Sequence, residues 1–357
     1  GQSIHVWDSA TGVRLQSLLG GFGRAEGFRI HPLSEELLVS GSVTKSWTLA
    51  ITKSAWTLPG VSAAAFLGSD EVCLGLNPGN GSAASYTLGK QEPEMGWNSA
   101  ASGFRIVGVS ADGRCAVAGA PADAKSRVQI ISNPGGVPVE THVLQTHFSL
   151  SFMRLSPDGG RLLTFVDSSV KNHHFDTATG SVLPELEWTD LKQINDAAWL
   201  GGERVAGLVT GRHPRSDPRS EEWLVLWDAA TGRRLLHSPN SSLMSCLAAD
   251  PGGHRFAEAG IDKMIRIRDA ATLAVVHEFR AHDASVTALA WHPDRPLLAS
   301  ASADLTVKIW NPDSGELLEE LRGFVQKPTT LQFSPTGRRL LTAGGGPVRI
   351  WEPKSLR

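Results

Sequence analysis

Four groups of residues in this 357-residue chain have types and spacings that could do chemistry. His277-Glu278-Phe279-Arg280-Ala281-His282 carries the two histidines and the glutamate of a zinc-protease motif. In that motif the imidazoles lie four apart on one helix face, share a metal, and leave the carboxylate to activate water. Here they are five apart, in a segment that reads as a strand running into a loop, and odd spacing on a strand sends side chains to opposite faces. The adjacent His173 and His174 fail as a ligand pair for the same reason. Gly75-Leu76-Asn77-Pro78-Gly79-Asn80-Gly81-Ser82 is glycine-rich, but it lacks the Lys-Ser/Thr ending and the following helix that cradle a phosphate. Gly344-Gly345-Gly346 reads as a tight turn. No Gly-x-Ser-x-Gly elbow occurs, and no carboxylate pair stands at a spacing suited to acid–base work. The chain reads as non-catalytic, with no metal and no cofactor.

The fourth group is an insertion, Thr210 to Glu221, which separates two strands that other parts of the chain join with a few residues. Its Arg212, Arg215 and Arg219 carry planar forks that grip carboxylates or phosphates bidentately, and His213 lies among them. A shorter extension, Pro121 to Ser126, brings Lys125 to the corresponding place two units earlier. These five residues are the candidate partner-binding set. A mobile solvated loop is the plain alternative for the insertion.

The elements that must position these residues repeat. Ala281 to Asn311 contains a His-Asp pair, an alternating apolar run from Val286 to Trp291, and a Pro-containing turn. A second run (Leu297 to Ser302) follows, then Asp304 and a third run ending in Ile309-Trp310. Weaker copies recur at intervals of roughly forty residues, a period that signals stacked supersecondary units. Eight first strands can be placed, near residues 28–31, 63–67, 104–110, 152–156, 196–200, 245–250, 285–292 and 330–334. Most lead into turns such as Pro157-Asp158-Gly159-Gly160, Asp250-Pro251-Gly252-Gly253 and Pro335-Thr336-Gly337, the chemistry of tight hairpins. The second runs are rich in Val, Leu and small residues, as suits strands buried on both faces. Third runs end in Val6-Trp7-Asp8, Leu226-Trp227-Asp228, Ile309-Trp310-Asn311 or Ile350-Trp351-Glu352, and several continue into Ala-Thr-Gly turns. No helix of ten or more residues is apparent. The chain reads as all-β.

Composition agrees. A formal charge of −2 with mixed signs argues against general nucleic-acid or membrane-surface binding. Cys73, Cys115 and Cys246 are an odd set, each in a strand of a different unit, and read as small buried hydrophobes in a reducing, cytoplasmic compartment. No window approaches 18 uninterrupted apolar residues, and no signal peptide opens the chain. Without that signal the glycosylation sequons at Asn80 and Asn240 carry no weight. Gly1 falls inside a repeat already under way, so a fragment of a longer chain is expected.

The unit with Ala281-His282, Leu298 to Asp304 and Val307 to Asn311 resembles a repeat of the WD-repeat (WD40) β-propeller family, bacterial in type, and the likeness extends in weaker form over essentially the whole chain. The resemblance implies four-stranded antiparallel blades around a central channel. It also implies a structural tetrad of His282, Ser300, Asp304 and Trp310, and a shared face for the loops that carry Arg212 and Lys125. Eight blades are favoured, as a single domain over 1–357 with N- and C-terminal strands paired to remove the sheet edges. The alternative is a seven-bladed ring from Val61 onward, with Gly1–Gly60 left from a preceding propeller. The expected function is a non-catalytic scaffold that binds proteins or peptides, monomeric or part of a larger chain. A C-terminal sensory or docking propeller of a signalling enzyme, such as a bacterial serine/threonine kinase, is the second reading. A propeller hydrolase or lyase is the third.

Overall fold

The computed structural model describes residues 150–166, 172–187, 191–201, 203–212, 220–240, 244–344 and 346–356 continuously, and between 3 and 146 the strands with a few flanking residues. Among the described residues the regular structure is β-strand, apart from a three-residue 3-10 turn at Lys354–Leu356. Seven sheets have four antiparallel strands each, at 63–97, 106–146, 150–183, 191–240, 244–280, 286–321 and 330–351. We number these blades one to seven. The chain is an all-β propeller of four-stranded blades.

Burial explains why each run becomes the strand it does. The second strand of blade six, Leu298–Ser302, is buried at all five positions, and Leu340–Ala343 of blade seven at all four. Their small and branched residues are sandwiched between neighbouring sheets. The outermost strands Arg234–Asn240 and Val275–Arg280 are exposed over most of their length, and Glu316–Leu321 over its first half. Each is kinked by a β-bulge beside the third strand, which blunts an edge that would otherwise invite pairing with other chains.

The turn residues match their conformations. Asp228 Oδ1 accepts the backbone N–H of Thr231 at 2.8 Å and its hydroxyl at 2.7 Å, and Asp269 with Thr272 and Asp176 with Thr179 repeat the arrangement. The polar residue after each third-strand Trp, Arg or Phe therefore builds the turn into the fourth strand. Gly253 takes φ +65°, and a Cβ there would lie 1.9 Å from Gly201 N in the preceding blade. Only glycine fits at that contact.

The innermost strands touch in cyclic order through all seven blades, and blade seven returns to blade one. Blade seven takes its fourth strand from Trp56–Leu58, which pairs Val348 with Leu58 and Ile350 with Trp56. Around that junction Leu58, Val61, Phe66, Cys73, Leu341, Val348 and Ile350 form one buried apolar cluster. Burying Leu58 and Val61 contributes on the order of 3–6 kcal/mol, which offsets much of the cost of ordering a three-residue strand.

Among the described residues seven sheets are complete four-stranded blades, and the eighth favoured from sequence is not among them. The reason is that blade seven has one free edge. Trp56–Leu58 occupies it, so Arg14–Leu19 pairs only with Ser3–Trp7 in a two-stranded sheet. Ala25–Ile30, Glu36–Gly41 and Lys45–Thr48 form a separate three-stranded sheet.

Candidate functional site

In blade six the four side chains of the tetrad form one hydrogen-bonded chain. His282 Nδ1–H donates to Asp304 Oδ2 at 2.9 Å, and His282 Nε2 accepts the Ser300 hydroxyl at 2.7 Å. Ser300 Oγ in turn accepts Trp310 Nε1–H at 2.8 Å. Thr306 and the Asp283 backbone N–H complete the Asp304 carboxylate. Burial opposes charge on Asp304, but the hydrogen bonds from His282 and Thr306 outweigh it and hold the carboxyl well below the usual carboxylate range. Serine, histidine and aspartate are also the parts of a hydrolytic relay. Here Ser300 is 0% exposed and its oxygen is already engaged by Trp310, so no acyl group can reach it. The arrangement serves architecture.

Other blades keep the positions and change the chemistry. Thr342 and Trp351 retain the hydroxyl-to-indole bond at 2.9 Å, with Phe324 against the Trp351 ring. In blade four glycine replaces the hydroxyl: a Cβ on Gly207 would sit 2.6 Å from the Trp227 ring, and Trp227 Nε1–H turns to Glu187 O. Gly75 and Tyr86 repeat that close approach in blade one. Blade five departs most. Glu258 stands at the serine position and Arg268 at the tryptophan position, 2.7 Å apart, with Glu258 fully buried. Asn240 Nδ2 donates to Glu258 from the histidine side at 3.4 Å. Burial pushes the Glu258 carboxyl up, against the pull of Arg268.

The central channel has a volume of about 680 Å³ and is lined by the innermost strands of all seven blades. Among the described residues its charged lining residues are Arg154 and Asp196, and they pair with each other. Hydrogen bonds cross from blade to blade around the channel wall. Arg154 Nε–H donates to Ala197 O, Leu247 N–H to Asp196, Ser245 to Val286 O, and Thr287 to Pro328 O. The Phe66 N–H joins blade one to blade seven, donating to Gln332 Oε1 at 2.8 Å. A second belt lies on the face of the first turns, where Arg161, Arg204, Arg255 and Arg339 each begin or precede a second strand. Arg161 reaches Glu203, Arg204 reaches Ala270 O, Arg255 reaches Asp313, and Arg339 reaches Asp70 O, in every case on the next blade. Sequence reasoning passed over both belts. Aligning Gly160-Arg161, Glu203-Arg204, His254-Arg255 and Arg338-Arg339 across the repeats would have exposed the second.

The candidate partner-binding residues divide. Arg212 ends the strand Arg204–Arg212, opposite Ser220, and Lys125 begins Lys125–Ser132, opposite Ala122. His213, Arg215 and Arg219 lie outside the described residues. His277 and His282 do not converge, since His282 is committed to its tetrad and His277 packs beside Phe279. His174 is buried beside Trp199, whereas His173 faces Glu185. Among the described residues no group of three or more His, Cys, Asp or Glu is arranged to hold a metal ion. Cys73 and Cys246 are buried free thiols; burial pushes Cys73 up to about 12, and Cys246 upward as well. The side chain of Cys115 and residues 77–82 fall outside the described set.

Residues 273–311, which span the tetrad, match the family profile described as WD domain, G-beta repeat. Over 185 residues, 51% of this chain, the sequence is 29% identical to Transducin beta-like protein 3 of Bos taurus. It is 27% identical over 188 residues to Actin-interacting protein 1 of Drosophila melanogaster, 50% of this chain and 29% of that protein. It is 38% identical over 114 residues to WD repeat-containing protein 1 of Gallus gallus, 28% of this chain and 19% of that protein. The matched stretches span 22% to 24% of the bovine, mouse and rat forms of Transducin beta-like protein 3.

Proposed function

The chain belongs to the WD-repeat family, and from that premise we propose that it is a non-catalytic scaffold whose loops capture proteins or peptides. The observation that carries the reading is the stitching of the ring. Among the described residues, two belts of inter-blade bonds tie blades three to seven to one another and blade seven to blade one. A rigid frame that presents variable loops is the physical requirement of a binding platform. Among the described lining of the channel, Arg154 and Asp196 pair with each other across blades three and four. One relative, Actin-interacting protein 1, has an interaction in its name; for this chain the partner class is protein or peptide.

The working unit of the proposal is the seven-bladed ring from Trp56 onward. The sheets at 3–19 and 25–48 either extend it as part of one domain or belong to a neighbouring propeller, and limited proteolysis distinguishes these. Cleavage confined to 49–55 that leaves the remainder folded without loss of stability would remove the single-domain organisation. The two buried free thiols, Cys73 and Cys246, suit a reducing, cytoplasmic location. The binding proposal centres on Arg212, Arg215 and Arg219, with His213 and Lys125 in the same candidate set. Replacing the three arginines together with alanine lowers partner recovery in affinity-capture mass spectrometry and leaves Tm unchanged. Undiminished recovery would take the insertion out of the interface.

A further inference from the structure

Leu305 holds a left-handed conformation at the tip of the hairpin between the second and third strands of blade six, at φ +67°, and is 36% exposed. Neither circumstance suits a leucine. A positive φ strains a residue with a bulky side chain, and water is a poor surrounding for its apolar carbon. Glycine would form the same turn without that strain. Strain kept at an exposed position is a pointer to function.

The hairpin belongs to a ridge on the face where second-to-third-strand hairpins and fourth-to-first-strand loops emerge together. Ala281 N–H donates to Lys263 O at 2.9 Å and ties the hairpin of blade five to the loop that enters blade six. Ala303 N–H donates to Ser285 O at 2.9 Å and ties that loop to the hairpin of blade six. The loop 322–329 continues the ridge into blade seven. Exposed aliphatic side chains recur along it, with Ile261 at 56% and Val325 at 48% on either side of Leu305. Beside Val325, the residues Phe324, Pro328 and Pro347 line a shallow hollow.

The charges of the ridge are not balanced. Its carboxylates are already engaged: Asp262 with Arg266 at 2.6 Å, Asp283 with Arg280 at 3.5 Å, and Asp304 with His282 at 2.9 Å. Among the described residues Lys263 and Lys327 have no carboxylate partner. The exposed aliphatics are thus accompanied by cations that nothing on the ridge cancels. We infer that the ridge over blades five to seven seats a segment of a partner protein in which aliphatic side chains are flanked by carboxylates. The inference rests on the scaffold reading and gives it a second contact region, one blade on from the insertion that follows Thr210. The partner's aliphatic groups bury against Ile261, Leu305 and Val325, and its carboxylates meet Lys263 and Lys327.

Selection of a displayed random peptide library on the parent protein tests it. The recovered peptides should combine Leu, Ile or Val with Asp or Glu, and their affinity, read by fluorescence anisotropy, should fall as salt rises. Leu305→Gly should weaken them at least about tenfold while Tm holds or rises, because glycine takes a positive φ without strain. Lys263→Gln with Lys327→Gln should remove most of the salt dependence. Val182→Ser, which deletes an exposed aliphatic of blade three, should leave binding unchanged. Peptides that bind Leu305→Gly as tightly as the parent would overturn the ridge and leave the scaffold standing. Equal weakening by Val182→Ser, or recovered peptides rich in Lys and Arg, would also overturn it. A library that yields no binder would count against ridge and scaffold alike.

Discussion

Glu258 and Arg268 show how far one position can change while the blade around it persists. They occupy the places of Ser300 and Trp310, and exchange a neutral hydroxyl-to-indole bond for a buried ion pair. Arg268 Nε and Glu258 Oε1 have no aligned hydrogen-bond partner, so the pair does not recover all that it loses in desolvation. Removing one partner should be far worse than removing both. Arg268→Leu should cost about 3–5 kcal/mol by stranding a buried carboxylate. Glu258→Ser combined with Arg268→Trp, which restores the blade-six pair, should bring stability back to near that of the parent. A denaturant double-mutant cycle measures the coupling, and additive losses would mean that the two side chains do not act as a pair.

At the scale of elements, the inter-blade contacts decide the assembly, and they were the least legible part of the sequence. Strand identity was readable because Leu298–Ser302 and Val307–Asn311 carry the full pattern of small buried residues and a terminal Trp. The tetrad was readable because all four residues lie within one repeat. Blade number was hard to read because a three-residue strand such as Trp56–Leu58, which takes the free edge of blade seven, leaves almost no periodic signal. The arginine belt was missed because each arginine, taken alone, reads as a solvated turn residue. Gly337 offers a test of such contacts: at φ +74°, its Cβ would fall 2.1 Å from His292 Nε2 across the junction of blades six and seven. Gly337→Ala should lower Tm by several degrees, through strain in the left-handed turn and loss of that junction. A Tm equal to that of the parent would show that the two blades do not meet as closely as the structure has them.

For the molecule as a whole, buried histidines set a pH limit. Burial holds His292 and His174 below the ordinary histidine range, and His292 Nδ1 accepts the N–H groups of both Asp294 and Arg295. Each histidine therefore stays neutral to a lower pH in the folded chain than in the unfolded one. As pH falls through the ordinary value of about 6.5, the unfolded chain takes up protons that the native ring refuses. Stability is therefore full above that value and declines below it. The buried Glu258 and Glu222 act with the opposite sign: burial raises both, so their contribution grows as pH falls and is lost as it rises. His292→Gln isolates one histidine, and its Tm should fall less steeply than that of the parent between pH 7 and pH 5.5. Parallel slopes would show that His292 does not carry the effect.

The strand that completes blade seven, Trp56–Leu58, leaves the ribosome long before its partner, Val348–Trp351. At ordinary rates of synthesis the interval is about 15–60 s. Throughout it the Leu58 and Val61 side chains lack the Leu341, Val348 and Ile350 surface that later covers them. A nascent ring is thus a spiral with two sticky ends, and its yield in the cell depends on what shields them until the last blade is made.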